Sequence, residues 1–176
     1  AQQGGLTTSD YASMHVGLAL AGAEQKSAWT KFMALSHPFA SMTLNTDAYG
    51  ACIGAHNGND GAIMIGGTGS CGILLKGGQQ HVVGGREFPI SDQGGGAVMG
   101  LRLIQQVLLT QDGIRPESSL SQHVMNHFNN DIDQIVEWSK TAIPKDYGQF
   151  SPAIFQLANE GDELAIELLK QTASDI

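Results

Sequence analysis

Residues 66–72 hold four glycines between two short apolar runs, and this segment restricts the fold more strongly than any other. The runs at 61–65 and 73–76 are too short for helices and contain β-branched isoleucines, so both are predicted strands. A Gly77-Gly78 turn and a third strand near 81–83 follow. The pattern predicts a strand meander whose first connection is a glycine-rich loop.

The loop also contains the spacing G-x-G-x-x-G at residues 67–72, which is the dinucleotide-binding fingerprint. That fingerprint requires a loop that opens a helix, and here a strand follows, so dinucleotide binding is not indicated. A P-loop is excluded because no G-K-[ST] follows. Backbone amides in such a loop, with the hydroxyls of Thr68 and Ser70, can still hold phosphate oxygens. A tight turn without a ligand is the alternative that the local sequence leaves open.

Asp47 stands where a predicted strand, residues 41–45, gives way to a helix of small residues, 48–55. A strand at 14–20 and a helix at about 24–36 precede it, which makes a strand-helix-strand-helix order. Ligands gather at the carboxyl ends of strands in α/β sheets, so a carboxylate here is well placed to act as a base. An aspartate that only caps the helix is the alternative.

Residues 84–96 place charged side chains among five glycines just before a predicted helix. This composition favours a ligand-binding loop, and the alternative is a flexible connection whose Asp92 caps the helix. The helical spacing of apolar residues runs from residue 94 to a stop at Asp112-Gly113. Further helices are predicted at 119–128, 131–141, 152–159 and 162–173. Ser151 is expected to cap the helix at 152–159 with its hydroxyl.

Composition narrows the classes of partner. The chain has 176 residues and a net charge of -8 without a basic run, so DNA and RNA are disfavoured. No apolar stretch approaches the roughly 20 residues of a membrane span. Cys52 and Cys71 lack CxxC spacing, so neither a zinc site nor a disulfide scaffold is indicated, and a cytoplasmic location is expected.

His123 and His127 have metal-compatible spacing on one predicted helix, but no third ligand is evident. A solvated helix face is favoured, and no metal site is predicted.

Three segments, residues 44–48, 65–70 and 84–94, together resemble ordered motifs of the N-acetylglucosamine kinase and BadF/BadG-type ATPase family of the actin-like ATPase superfamily. Residues 18–25 resemble a fourth motif, the loop after a core strand. The resemblance covers about residues 14–110. It is nearest to the bacterial glucosamine kinases, in which Gly-Gly-Arg-Glu-Phe-Pro to Ser-Asp-Gln also occurs.

The resemblance implies an α/β protein with part of a ribonuclease-H-like, actin-type ATPase fold. Such proteins have two lobes with the nucleotide in the cleft between them. Residues 1–58 would be the C-terminal part of the first lobe. Residues 59–176 would begin the second lobe, with the phosphate-loop hairpin and then a helical region. The boundary is expected near 57–60, where Asn-Gly-Asn-Asp supplies loop chemistry.

The same resemblance implies phosphoryl transfer from ATP, with Mg²⁺, to the 6-hydroxyl of glucosamine. Asp47 would be the general base. The nucleotide phosphates would lie at Gly67, Thr68 and Gly69. Positions that match the sugar pocket are Ser70, Cys71, Gly85, Arg86, Glu87 and Asp92. Of these, Asp92 and Glu87 could pair with the ammonium group of the sugar.

Departures from the family pattern limit these expectations. The first phosphate loop and the adenosine loop of the family have no counterpart, which indicates an internal piece of a longer gene product, and the isolated chain is expected to be inactive. Cys71 replaces an asparagine of the N-acetylglucosamine enzymes, and this loss of an amide favours a free amino sugar. Gly95 stands where the family commonly has serine.

Several alternatives stay open. The sugar could be N-acetylglucosamine, and the chain could belong to a non-catalytic sugar or nucleotide sensor of the same fold. The family's branch of reductase-activating ATPases carries cluster-binding cysteines, which the two separated cysteines do not resemble. The expected partners are a small amino sugar and ATP, without nucleic acid or a membrane; a homodimer is not decided by the sequence.

Overall fold

A computed structural model describes residues 4–176 of the chain. The strands are β1 (His15–Leu20), β2 (Ser41–Thr46), β3 (Gly61–Gly66), β4 (Ser70–Lys76) and β5 (Gln79–Gly84). The helices are α1 (Lys26–Met33), α2 (Asp47–Ala55), α3 (Gly96–Gln111), α4 (Ser119–His127), α5 (Ile132–Ser139), α6 (Pro144–Gly148), α7 (Ser151–Asn159) and α8 (Glu163–Ser174). A 3₁₀ turn at Thr8–Ser13 precedes β1. In the described residues, no helix combines the length and the apolar character that a membrane span requires.

The chain forms two compact units. The first contains the described residues up to Ile63 together with Ile73–His81, and the second contains Met64–Gly72 and Val82–Ile176. The predicted lobe boundary at 57–60 remains a prediction.

In the first unit, β1 and β2 pair in parallel, with His15 opposite Ser41 and Leu20 opposite Thr46. This register confirms the predicted strand-helix-strand order, and it brings the ends of both strands to one edge. Helix α2 packs closely on β1, because a Cβ on Gly50 would overlap the Cβ of Ala19. The face that α2 buries is made of small residues, as its sequence requires.

The predicted meander is confirmed by the strand order β3-β4-β5. The glycine-rich loop is the connection between β3 and β4, and no helix follows it. Because a strand follows the loop, the structure also excludes the dinucleotide-binding interpretation of the G-x-G-x-x-G spacing.

The main core lies among the helices of the second unit. Its fully buried members include Leu103, Leu120 and Ile154, and the cluster continues through Phe128 and Phe150. Helix α3 approaches α6 at a glycine: a Cβ on Gly100 would lie 2.6 Å from the carbonyl carbon of Tyr147. This close packing places α6 beside the first turns of α3.

One capping expectation, at Ser151, and one capping alternative, at Asp92, were wrong in this region. Ser151 is the first residue of α7 rather than its cap, because Phe150 holds that position, and the Ser151 hydroxyl is buried without a hydrogen-bond partner in the described residues. Asp92 does not cap α3, whose N-cap is Gly95 and has no side-chain cap bond. The observed N-caps lie one residue from Ser151 and three residues from Asp92.

Candidate functional site

Asp47 lies at the carboxyl end of β2, as the first residue of α2. The capping alternative is wrong, since Thr46 is the N-cap and its hydroxyl accepts a hydrogen bond from the Tyr49 amide at 3.1 Å. The Asp47 side chain is exposed, and within residues 4–176 only its Oδ1 atom accepts a bond, from the Ala48 amide at 2.9 Å. A carboxylate whose second oxygen has no protein donor is available to a ligand hydroxyl.

The residues after β1 lie at the same edge as Asp47. Leu20 ends β1 opposite Thr46, and the following residues turn at Gly22, whose φ of 82° is left-handed. Ala23 and Gln25 close this turn with backbone bonds to Leu20 and Gly22. The first unit thus collects the resembled segments 18–25 and 44–48 at one edge of its sheet.

In the second unit, the segment predicted to bind phosphate is called the phosphate loop, and it consists of Gly66, Gly67, Thr68 and Gly69. The Gly67 amide donates to the Gly69 carbonyl at 2.9 Å, which closes the turn. The carbonyls of Gly67 and Thr68 point away from the open side, because they accept from the amides of Gly96 and Ala97 at 2.8 and 2.9 Å. The first turn of α3 therefore holds the loop from behind.

The open side of this loop carries unused donors. Across residues 4–176, no protein acceptor is found for the Thr68 hydroxyl or for the backbone amides of Thr68 and Gly69. Thr68 is exposed, while its methyl carbon lies 4.0 Å from the position of a Cβ on Gly148. A concave group of unpaired N–H and O–H donors is suited to anionic oxygens.

The segment predicted to bind the sugar, residues 84–93, is called the sugar loop, and both of its ends lie close to the phosphate loop. At its start, the Gly85 amide donates to the Ser70 carbonyl at 2.9 Å. At its end, the Asp92 carboxylate occupies the space beside Gly69, where an added Cβ would lie 2.7 Å from Asp92 Oδ2. The two predicted ligand segments of this unit are thus adjacent.

Cys71 packs beneath the start of the sugar loop. A Cβ on Gly85 would lie 3.1 Å from the Cys71 sulfur, and the Gly85 φ of 65° is left-handed. Ser70, Cys71 and Gly85 are therefore brought together as the resemblance implied. Arg86 and Glu87 lie on the same loop with exposed side chains.

The sugar loop is internally braced. Ser91 is buried; its hydroxyl accepts from the Arg86 amide at 3.2 Å, and its own amide donates to the Glu87 carbonyl at 2.9 Å. Glu87 and Asp92 have left-handed backbones, with φ of 72° and 67°. Such conformations cost energy in non-glycine residues and are concentrated at functional sites.

An aromatic contact fixes the middle of the sugar loop to the helical core. The ring of Phe88 lies 5.2 Å from the ring of Tyr147. Burial raises the pKa of the Tyr147 phenol, and the neighbouring charge of Asp146 raises it further, so the ring stays neutral at physiological pH. Sequence patterns gave no sign of this anchor, because Tyr147 lies in α6, a five-residue helix that was not predicted.

Metal-ligand chemistry is sparse in the described residues. They contain no group of three His, Cys, Asp or Glu side chains arranged to hold a metal ion. His127 instead makes edge contacts with the rings of Phe128 and Phe150, at 4.9 and 5.3 Å between centroids.

This arrangement is that of an α/β protein of the actin-like ATPase fold, in which a glycine-rich loop lies beside the loop at residues 84–93. The chain matches the BadF/BadG/BcrA/BcrD ATPase family over residues 1–176, and it belongs to that family.

Named relatives agree with this assignment. The chain is 77% identical over 176 residues to glucosamine kinase GspK of Vibrio cholerae, and it covers 60% of that protein's length. It is 27% identical over 119 residues to N-acetyl-D-glucosamine kinase of Dictyostelium discoideum, covering 65% of this chain and 37% of the relative. The chain therefore spans about three fifths or less of the curated relatives it matches.

Two crystal structures are also similar. One, described as a candidate N-acetylglucosamine kinase from Chromobacterium violaceum, has a TM-score of 0.87 at 31% identity, with 99% of this chain and 61% of that chain covered. The other, from Porphyromonas gingivalis, has a TM-score of 0.70 at 23% identity over 96% of this chain and 59% of that chain. The second likeness bears on the fold alone.

Proposed function

We propose that the protein containing this chain transfers the terminal phosphoryl group of ATP to the 6-hydroxyl of glucosamine. The observation that carries the proposal is that the phosphate loop and the sugar loop are adjacent. Donors of Thr68 and Gly69 that have no acceptor in the described residues lie next to this loop, whose start is hydrogen-bonded to Ser70 and whose Asp92 lies beside Gly69. The 77% identity to a glucosamine kinase supports the choice of substrate.

In this reaction the protein mainly positions groups and neutralises charge. Thr68 and Gly69 would hold phosphate oxygens. Asp47, the general base, would orient the 6-hydroxyl and accept its proton as the new O–P bond forms. The Oδ2 atom of the exposed Asp47, for which the described residues offer no donor, is suited to this step.

The oxygen donors of the site also fit Mg²⁺ that arrives with ATP. Mg²⁺ is commonly held by one or two carboxylates together with substrate phosphates, so a three-residue protein cluster is not required. The Thr68 hydroxyl, beside the amides proposed to hold the phosphates, is an oxygen donor of the preferred type. When bound, the ion would reduce the negative charge that opposes phosphoryl transfer.

For the sugar, we assign Ser70, Cys71, Gly85, Arg86, Glu87 and Asp92 to the pocket. Glu87 and Asp92 supply the carboxylates that would pair with the ammonium group. Cys71 presents a thiol beneath Gly85 and offers no amide to an N-acetyl carbonyl. N-Acetylglucosamine is the second candidate substrate, because the relatives from Dictyostelium and Chromobacterium are described as kinases of that sugar.

Removing the Thr68 hydroxyl is expected to weaken ATP binding roughly ten- to a hundredfold, the effect of losing a hydrogen bond to a charged group. Valine keeps the shape and the methyl group that faces Gly148. Calorimetric titration of the full-length Thr68→Val variant with ATP, and separately with glucosamine, measures both affinities. Thr68→Ser is the matched control, since it keeps the hydroxyl. Equal ATP affinity in Thr68→Val and the parent protein would remove the phosphate role of this loop.

A further inference from the structure

The Asp92 carboxylate lies against the phosphate loop without a partner for its charge. Its Oδ2 and Oδ1 atoms lie 2.7 and 3.2 Å from the position that a Cβ on Gly69 would take. The side chain is half-buried, and within residues 4–176 neither a hydrogen-bond donor nor a basic side chain is paired with it. Its negative charge is therefore not offset by the described part of the chain.

This charge lies beside the donors that we assign to the phosphates of ATP. The Gly69 amide belongs to the residue that the carboxylate contacts, and Thr68 is its neighbour in the loop. A phosphate oxygen bonded to the Gly69 amide would lie within about 9 Å of the carboxylate. That separation is close to the Debye length at physiological ionic strength, and half-buried charges are screened less than exposed ones. The two negative groups would therefore repel each other.

The backbone on both sides of the carboxylate is held in place. Ser91 is buried, and the Asp92 carbonyl accepts from the Gly95 amide at 2.7 Å. Gly95 in turn begins the segment whose next two amides bind the carbonyls of the phosphate loop. The carboxylate and the loop are thus attached to the same start of α3, so the charge stays near the loop unless a cation offsets it.

We infer that Asp92 opposes ATP binding until a cationic sugar offsets its charge, so that binding of the amino sugar raises the affinity for ATP. The inference rests on the proposed function, in which the phosphate loop holds ATP and Asp92 pairs with the ammonium group of the sugar. An ammonium group on Asp92 replaces an unpaired negative charge beside Gly69 with a neutral ion pair, which reduces the repulsion. Because such coupling is reciprocal, bound ATP raises the affinity for glucosamine by the same factor.

The first test removes the charge of Asp92. Asp92→Asn in the full-length protein keeps the size of the side chain, and asparagine tolerates the left-handed φ of 67° about as well as aspartate. Without sugar, and with Mg²⁺ saturating, we expect this variant to bind a non-hydrolysable ATP analogue about three- to tenfold more tightly than the parent. A gain in affinity is the informative result, because structural damage would weaken binding instead.

Asp112→Asn is the matched control for this gain. Asp112 is the exposed C-cap of α3, at the opposite end of that 16-residue helix from the phosphate loop. The helix is about 24 Å long, so the control removes the same charge from beyond the Debye length. Its affinity for the ATP analogue should stay within about twofold of the parent.

The second test leaves the protein unchanged and varies the charge of the sugar. The parent is titrated calorimetrically with the ATP analogue in the presence of saturating glucosamine, glucose or N-acetylglucosamine, or without sugar. The last two sugars are uncharged, so any effect of filling the pocket is common to all three. We expect glucosamine to tighten binding of the analogue about three- to tenfold more than either neutral sugar, and added salt to reduce this difference.

The outcomes separate this inference from the proposed function. A parent protein that binds neither the ATP analogue nor glucosamine would refute the proposed function. If the parent binds both, an Asp92→Asn variant with unchanged or weaker affinity for the analogue would refute only the role of the Asp92 charge. Equal effects of glucosamine and the neutral sugars on the parent would refute it as well.

Discussion

Asp47→Asn is expected to lower turnover of the full-length protein by about 10²- to 10⁴-fold, the usual loss when a general base is removed. Asparagine keeps the size of the side chain and can still accept from the Ala48 amide, as Oδ1 does now. It cannot take a proton from the sugar hydroxyl. Sugar affinity should therefore change little, and the loss should appear in kcat rather than in KM.

Asp131→Asn is a suitable control for this change. Asp131 caps α5 by accepting from the Asp133 amide at 2.9 Å, and asparagine caps helices about as well as aspartate. Steady-state kinetics of both variants with glucosamine and ATP give the comparison. Turnover of Asp47→Asn within about threefold of the parent would exclude Asp47 as the base. An effect of Asp47→Asn that is confined to KM would also exclude Asp47 as the base.

Leu103→Ala should have the largest effect on stability, lowering the free energy of unfolding by about 2–5 kcal/mol. Leu103 lies on α3 with no exposed surface and belongs to the helical core. The first turn of the same helix holds the phosphate loop through backbone hydrogen bonds. Truncation leaves a cavity that closely packed helices cannot fully close. Urea unfolding followed by circular dichroism measures the change.

Gln105→Ala on the exposed side of the same helix is the control, and its effect should stay within about 0.5 kcal/mol. This pair separates loss of packing from a change in helix propensity, since both variants place alanine in α3. Equal stabilities for Leu103→Ala and Gln105→Ala would mean that this core does not support the second unit.

Local signals were sufficient for most of the secondary structure. The parallel pair β1 and β2 and the meander β3 to β5 were predictable because short apolar runs are bounded by glycine, proline and loop-forming polar residues. Helix α3 was predictable because its apolar residues recur over sixteen residues up to the Asp112 C-cap. Such long periodic patterns leave little room for another structure.

Other elements depended on tertiary contacts. Helix α6 has only five residues, too few for a periodic pattern, and its start is held by Pro144 and by the Asp146 carboxylate, which accepts from the Ile143 amide at 2.8 Å. Ser151 and Pro152 have the composition of a helix start, yet the helix begins one residue earlier than that signal. Gly96 lies close to the Ser151 hydroxyl, since a Cβ on Gly96 would lie 2.8 Å from it.

The candidate site was predictable in its parts rather than in its assembly. Motif order drew attention to Thr68, Gly85 and Asp92, and the structure places the loops that carry them side by side. The close approach of the start of α3 to the phosphate loop was not predicted, although three consecutive glycines, Gly94 to Gly96, were the available signal. A run of glycines alone cannot distinguish a flexible connection from a close backbone approach.

The most direct test of the central proposal is identification of the reaction product. The full-length protein would be incubated with MgATP and glucosamine, with parallel reactions containing N-acetylglucosamine or no sugar, and the products followed by ADP release and by phosphorus–proton NMR. We predict one phosphoryl group transferred per ADP, coupled to the protons on carbon 6, with glucosamine consumed faster than N-acetylglucosamine. ADP release that does not depend on a sugar, or a phosphate on another carbon, would contradict the account.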